Sequence, residues 1–141
     1  YGFATQSEST SREDGLELND CLITAVARCA PPANKPTAHE IETCRSYMVR
    51  ELDILEDIRV VLALGKIAFD GFLAAWRDSG LTIPKPKPKF GHASVATLQG
   101  RAREVILVGS YHPSQQNTIT GRLTTAMFHR VVRKVRQAID Q

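Results

Sequence analysis

Residues 60–69 read VVLALGKIAF. Val60–Leu64 is a continuous apolar run of strand length, Gly65 interrupts it, and Lys66–Trp76 then offers Ile67, Phe69, Phe72 and Leu73 for burial at helical spacing. A strand that is apolar at every position expects cover on both faces, the habit of parallel sheets. Its junction with a helix leaves backbone N–H groups free at the tip. Two further apolar runs flank it, CLITAVAR at 21–28 and EVILVG at 104–109. Strands alternating with helices predict an α/β fold, with a central parallel sheet and helices on both sides.

The connecting segments sharpen this reading. Thr37-Ala-His-Glu40 is a capping box, and the helix it opens carries Ile41, Cys44, Met48, Leu52 and Leu55 on one stripe. From Arg122 a long helix is expected, with Leu123, Met127, Val131, Val135 and Ile139 inward and Arg130, Arg133, Lys134 and Arg136 on other faces. Tyr1–Asp20 is polar and reads as a loop over the surface, and Phe90–Leu98 fits neither helix nor strand clearly. CAPPANKPT (29–37) holds three prolines in six residues, which forbids helix and ladder alike. GLTIPKPKPK (80–89) is an extended basic loop. Ligands of parallel sheets bind beyond the carboxyl ends of the strands. There CAPPANKPT, LGKIA and SYHPSQQNTITG (110–121) emerge, so the three most unusual stretches are expected on one rim.

With 141 residues, 43% hydrophobic and 23% charged, the chain fits one ordinary domain and excludes disordered and collagen-like classes. No apolar run approaches the ~20 residues of a membrane span, so a soluble, intracellular protein is expected. Three cysteines are an odd count that argues against a disulfide framework and leaves metal ligation open. The net charge of +3 hides a division: residues 1–80 carry 8 Lys/Arg against 13 Asp/Glu, and residues 81–141 carry 10 against 2. A basic half suggests an anionic partner, nucleic acid first, although the same residues could simply solvate exposed faces.

Candidate chemistry gathers at the rim. Cys29 and Cys44 are separated by the stiff loop and could share a metal or an iron–sulfur cluster. Spacing alone favours two small packing residues instead, because a cluster wants four ligands and Cys21 is badly placed. Asn34, fixed between prolines, could read a base edge or bond its own backbone. His112 follows a strand and precedes Pro113, where it could stabilise developing charge or move a proton; a solvated loop histidine is the alternative. Ser114, Asn117, Thr118, Thr120 and Arg122 crowd the expected start of the last helix, a phosphate-binding arrangement, with plain capping by Thr120 the simpler reading.

Together, RCAPPANKPT (28–37) with EIETC (40–44), VLALGKIAF (61–69), FGH (90–92) and SYHPSQQNTITGRLT (110–124) resemble the iron–sulfur uracil-DNA glycosylases. The resemblance is closest to family 5, the type B enzymes of bacteria and archaea, and runs in order from about Phe3 to the final helix. It implies a monomeric three-layer α/β/α sandwich on a four-stranded parallel sheet. It implies extrusion of a damaged base from double-stranded DNA, with single-stranded DNA a second partner, followed by hydrolysis of the N-glycosidic bond. Several deaminated bases are expected as substrates. Cys29 and Cys44 match two of four ligands of a [4Fe–4S] cluster, which reverses the reading from spacing, and Cys21 matches none. His112 matches the histidine facing the base carbonyl, and Asn34 a pocket residue beside base and sugar. Ser114, Gln116, Asn117, Thr118, Thr120, Gly121 and Arg122 lie in the segment that approaches the minor groove and fills the vacated stack. A cytoplasmic, nucleoid-associated prokaryotic protein without membrane contact is expected.

The family's first strand, its glycine-rich motif with the catalytic aspartate and its first cysteine pair all match nothing in this chain. The expectation is therefore the distal part of a glycosylase domain, inactive alone. The alternative is a non-catalytic nucleic-acid-binding relative that kept the rim and lost the chemistry. A third reading, a phosphate loop at LGKIA in an unrelated enzyme, is weak because one glycine makes no cradle.

Overall fold

A computed structural model describes residues 1–28 and 35–141. In chain order the elements are α1 (Ala38–Ile54), β1 (Val60–Leu64), α2 (Lys66–Asp78), β2 (Val95–Gln99), β3 (Glu104–Ser110), α3 (Gln115–Ile119) and α4 (Thr125–Ile139). The sheet order is β1-β3-β2. β1 lies parallel to β3 with Val60 opposite Ile106 and Leu64 opposite Ser110. β2 runs antiparallel to β3 with Val95 opposite Val108 and Gln99 opposite Glu104.

The fold is α/β, with helices on both faces of the sheet. Strand side chains alternate between faces, and the core divides accordingly. Val105 and Leu107 of β3, with Ala63 of β1 and Leu98 of β2, pack against Phe69, Phe72, Leu73 and Trp76 of α2 and Met48 and Leu52 of α1. Ile106 and Val108, with Val60 and Leu62, turn the other way onto Val131, Val135 and Ile139 of α4. Phe3 joins that second cluster, and the guanidinium of Arg136 lies 5.3 Å from its ring centroid. Tyr1–Asp20 thus runs over the surface as a loop, closed on itself by a single bridge between Ala4 and Leu18.

The expected capping box is present: the Thr37 side chain accepts from the Glu40 N–H, and the Glu40 carboxylate accepts from the Thr37 N–H. VVLAL and EVILVG form the parallel pair. Two other expectations fail. CLITAVAR forms no strand; Leu22 is 58% exposed and Ile23 is 76% exposed. An apolar run becomes a strand only beside a partner for its ladder, and no described strand lies next to it. It crosses the α1/α2 layer instead. Val26 presses on Gly71, where an added Cβ would meet its Cγ1 at 2.6 Å, and Arg28 pairs with Glu51. The sheet is also mixed rather than wholly parallel, because Val95–Gln99 is a strand. Four residues, 100–103, join it to β3, too short for a crossover, so the pair must be antiparallel.

At the other end, SYHPSQQNTITG is not all loop. It contains α3, capped by Ser114, whose Oγ accepts from the Asn117 N–H at 3.2 Å. The last helix begins at Thr125 under Thr124, not at Arg122, and Thr120 closes α3 rather than capping α4. No described helix is long and apolar enough to cross a membrane.

Candidate nucleic-acid interface

β3 is the middle strand, and its carboxyl end delivers Ser110, Tyr111 and His112 to the rim. β1 ends beside it: the Gly65 N–H donates to the Ser110 carbonyl at 2.7 Å. Gly65 has φ 95°, a conformation open to glycine, and a Cβ there would lie 3.4 Å from the His112 Cβ. The junction therefore keeps its side of His112 bare. His112 is exposed, with its backbone fixed from downstream. Its carbonyl accepts from the Asn117 Nδ2 at 2.8 Å and from the Ser114 N–H at 2.8 Å. The Asn117 carbonyl in turn accepts from the Leu123 N–H at 2.9 Å, and Leu123 is buried. Asn117 is thus the brace of the whole 112–123 loop.

Of the DNA-contacting candidates, Gln116, Thr118, Thr120, Gly121 and Arg122 are exposed on this loop. Ser114 and Asn117 are half-buried and serve its internal bonding. The Thr118 and Thr120 hydroxyls donate back to the carbonyls of Ser114 and Gln116, at 3.0 Å and 2.7 Å, and keep their lone pairs outward. Arg122 lies with its guanidinium 4.7 Å from the Tyr111 ring centroid, a cation–π contact that leaves its N–H groups free for an anion. Ile119, at the loop tip, is 83% exposed, the most exposed large apolar side chain among the described residues. Sequence patterning gave it no role; its signal is an isoleucine in an otherwise polar stretch.

A second group, quoted in the sequence motifs FGH and SYHPS but given no role there, lies next to this loop. His92 stacks on Tyr111 with ring centroids 5.0 Å apart, and Phe90 contacts both Tyr111 and Phe69. The Tyr111 N–H donates to the His92 Nδ1 at 3.3 Å. Burial, with the Arg130 charge adding to it, holds the His92 imidazole below the ordinary histidine range.

Cys44 sits on α1, half-buried, and its Sγ accepts from the Arg28 N–H at 3.5 Å. Cys29, the next residue in the chain, and Asn34 lie outside the described residues. The contact ties the end of the 21–28 segment to α1. Cys21 is exposed and turned to the Phe3 carbonyl, 3.7 Å away. Among the described residues no group of three or more His, Cys, Asp or Glu side chains could hold a metal.

A family model described as the Uracil DNA glycosylase superfamily matches residues 3–136. A type-5 uracil-DNA glycosylase of Mycobacterium bovis is 41% identical over 137 residues, covering 96% of this chain and 48% of the relative. One from Thermus thermophilus is 40% identical over 136 residues, covering 96% and 58%. A type-4 uracil-DNA glycosylase of Archaeoglobus fulgidus is 32% identical over 101 residues, covering 71% and 48%. The chain spans about half the length of the curated relatives it matches.

Proposed function

Because this chain belongs to the uracil-DNA glycosylase superfamily, we propose that the whole protein removes uracil, and other deaminated bases, from double-stranded and single-stranded DNA. The observation that carries the reading is His112, exposed at the carboxyl end of the central strand and braced by Asn117 beside a cationic, donor-bearing loop. In this reading the base is extruded into the rim, and Ile119 takes its place in the stack as an apolar wedge. Arg122 holds a flanking phosphate with the Gln116 amide and the Gly121 backbone alongside, and the Thr118 and Thr120 hydroxyls join it by turning their protons from the Ser114 and Gln116 carbonyls to the phosphate oxygens. Asn34 contacts the base beside the sugar.

As the N-glycosidic bond breaks, its electron pair moves onto the base, and the sugar becomes oxocarbenium-like until water adds at the anomeric carbon. The His112 imidazole donates a hydrogen bond to the carbonyl oxygen where that negative charge collects. Cys29 and Cys44 supply two of the four thiolates of a [4Fe–4S] cluster. A cluster held by these thiolates would supply structural cross-linking and leave the bond cleavage to the side chains of the rim. The protein works as a monomer in the cytoplasm, at the nucleoid.

Single-turnover cleavage of a uracil-containing duplex by the whole protein tests the reading directly. Tight binding without cleavage would instead favour the non-catalytic, nucleic-acid-binding alternative. Arg122→Ala is expected to weaken binding to every DNA sequence about equally and to flatten the slope of log Kd against log salt by about one. An unchanged slope removes the phosphate contact. For the cluster, Cys44→Ala should cost anaerobically purified whole protein its brown colour and its thiolate-to-iron absorption band. A band of parental intensity in that variant excludes Cys44 as a ligand.

A further inference from the structure

We propose that His92 is a positioning residue for His112: its neutral imidazole, through Nδ1, anchors the Tyr111 N–H and so sets the strand end from which His112 projects. The inference rests on the glycosylase reading for its consequence, but its geometry stands apart from it. His92 belongs to a turn stitched to the last residues of β3. The Ala93 N–H donates to the Gly109 carbonyl at 2.8 Å, and the Gly109 N–H donates to the Ser94 carbonyl at 2.9 Å. The turn closes on itself as well, with the Ser94 hydroxyl donating to the Gly91 carbonyl at 2.7 Å. The approach is so close that a Cβ on Gly109 would lie 2.6 Å from the Ser94 Oγ and 2.7 Å from the Gly91 carbonyl oxygen. Nothing in this frame can slide without breaking the sheet edge, so His92 is delivered to Tyr111 at fixed height.

Two contacts follow. The Tyr111 N–H, in the peptide that joins Ser110 to Tyr111, ends on the His92 Nδ1. The Tyr111 ring touches both the His92 ring and the Arg122 guanidinium, so the imidazole that anchors the entry to the 112–122 loop is linked through Tyr111 to its exit. An acceptor at Nδ1 requires the tautomer with its proton on Nε2. The imidazolium has no acceptor, so protonation would turn the anchor into a repulsive donor–donor contact. The groups around this ring are cations and a phenol: Arg130 from α4, Tyr111 itself, and Arg122 through its contact with Tyr111. Burial and Arg130 both disfavour a second proton, which keeps the acceptor available around neutrality. By linkage, this contribution is complete above the ordinary histidine value and is lost as pH falls toward the lowered one.

The experiment compares wild type, His92→Phe and His92→Asn in the whole protein. Phenylalanine keeps the stack without the acceptor, whereas asparagine restores an acceptor oxygen that does not titrate. His92→Phe is expected to lower single-turnover cleavage by ~10–100-fold, the cost of misplacing a group by about 1 Å, with DNA affinity within about two-fold. His92→Asn should recover most of the rate and lose the part of the acid limb that wild type shows below neutrality. Wild-type rates in His92→Phe, equal losses in both variants, or the same acid limb in His92→Asn would each overturn the proposal. Nitrogen-15 spectra of the wild-type histidines provide a readout independent of catalysis: His92 should show an unprotonated Nδ1 and a protonated Nε2 at neutral pH. A protonated Nδ1 refutes the anchor. If wild type leaves uracil DNA uncleaved, the glycosylase reading falls while the nitrogen spectrum still decides the anchor.

Discussion

Replacing His112 by alanine in the whole protein is expected to slow single-turnover release of uracil by ~10²–10³-fold, the range found for deleting one donor to a transition-state anion. DNA affinity should change little. The reason lies in how the loop is held. Its brace runs through the His112 carbonyl, which accepts from Asn117 and Ser114, and on through Asn117 to Leu123. None of these bonds uses the imidazole. Alanine therefore removes the donor and leaves the loop, Arg122 and Ile119 where they were. Only an interaction stronger in the transition state than in the ground state accelerates cleavage, so the loss falls on the rate. His112→Gln, which keeps a donor amide, should recover part of it. Unchanged cleavage by His112→Ala at saturating protein would remove His112 from the reaction.

The second large effect is structural. Phe69→Ala is expected to destabilise the fold by ~3–5 kcal/mol, the usual cost of emptying a large aromatic site in a packed core. Phe69 is 1% exposed and sits in the first turn of α2, directly behind the Gly65 junction. Its ring meets Phe90 edge-on with centroids 5.7 Å apart, and Phe90 in turn lies against Tyr111. The vacancy would therefore open under the rim as well as in the core, and cleavage should fall below what the unfolded fraction explains. Chemical denaturation monitored by the far-ultraviolet signal measures the first effect. A loss under about 1 kcal/mol would mean that the site collapses around the hole.

The legibility of the chain was uneven, for physical reasons. VVLAL, EVILVG and the Thr37–Glu40 capping box were readable because their signals are local. A fully covered strand is apolar throughout, and a cap needs only residues three apart. CLITAVAR carries the same apolar signal as those strands yet forms none, because a ladder partner is not a property of the run itself. VATLQ was the converse. It is a short edge strand with Val95, Thr97 and Gln99 outward, so half its side chains look like loop. The rim was readable as a place, and His112 as its exposed histidine. The brace at Asn117 and the stack of His92, Tyr111 and Arg122 were not, since they join residues that only the closed sheet brings together. By sequence, the donors around 114–122 crowd the start of one long helix. In the structure they close a short one, because Ser114 and Thr124 offer two separate caps within the same polar stretch.

The antiparallel joining of β2 to β3 also bears on the order in which the rim can form. Val95–Ser110 is a hairpin closed over four residues, whereas β1 must reach across α2 and the lysine–proline stretch before Val60 can meet Ile106. Short closures cost less chain entropy than long ones and are faster to make. His92 lies just before this hairpin and Tyr111 just after it. Their meeting is therefore a sequence-local event, affordable while the rest of the sheet is still searching for its register. The strand end that carries His112 can be aimed before β1 and its Gly65 junction have docked beside it.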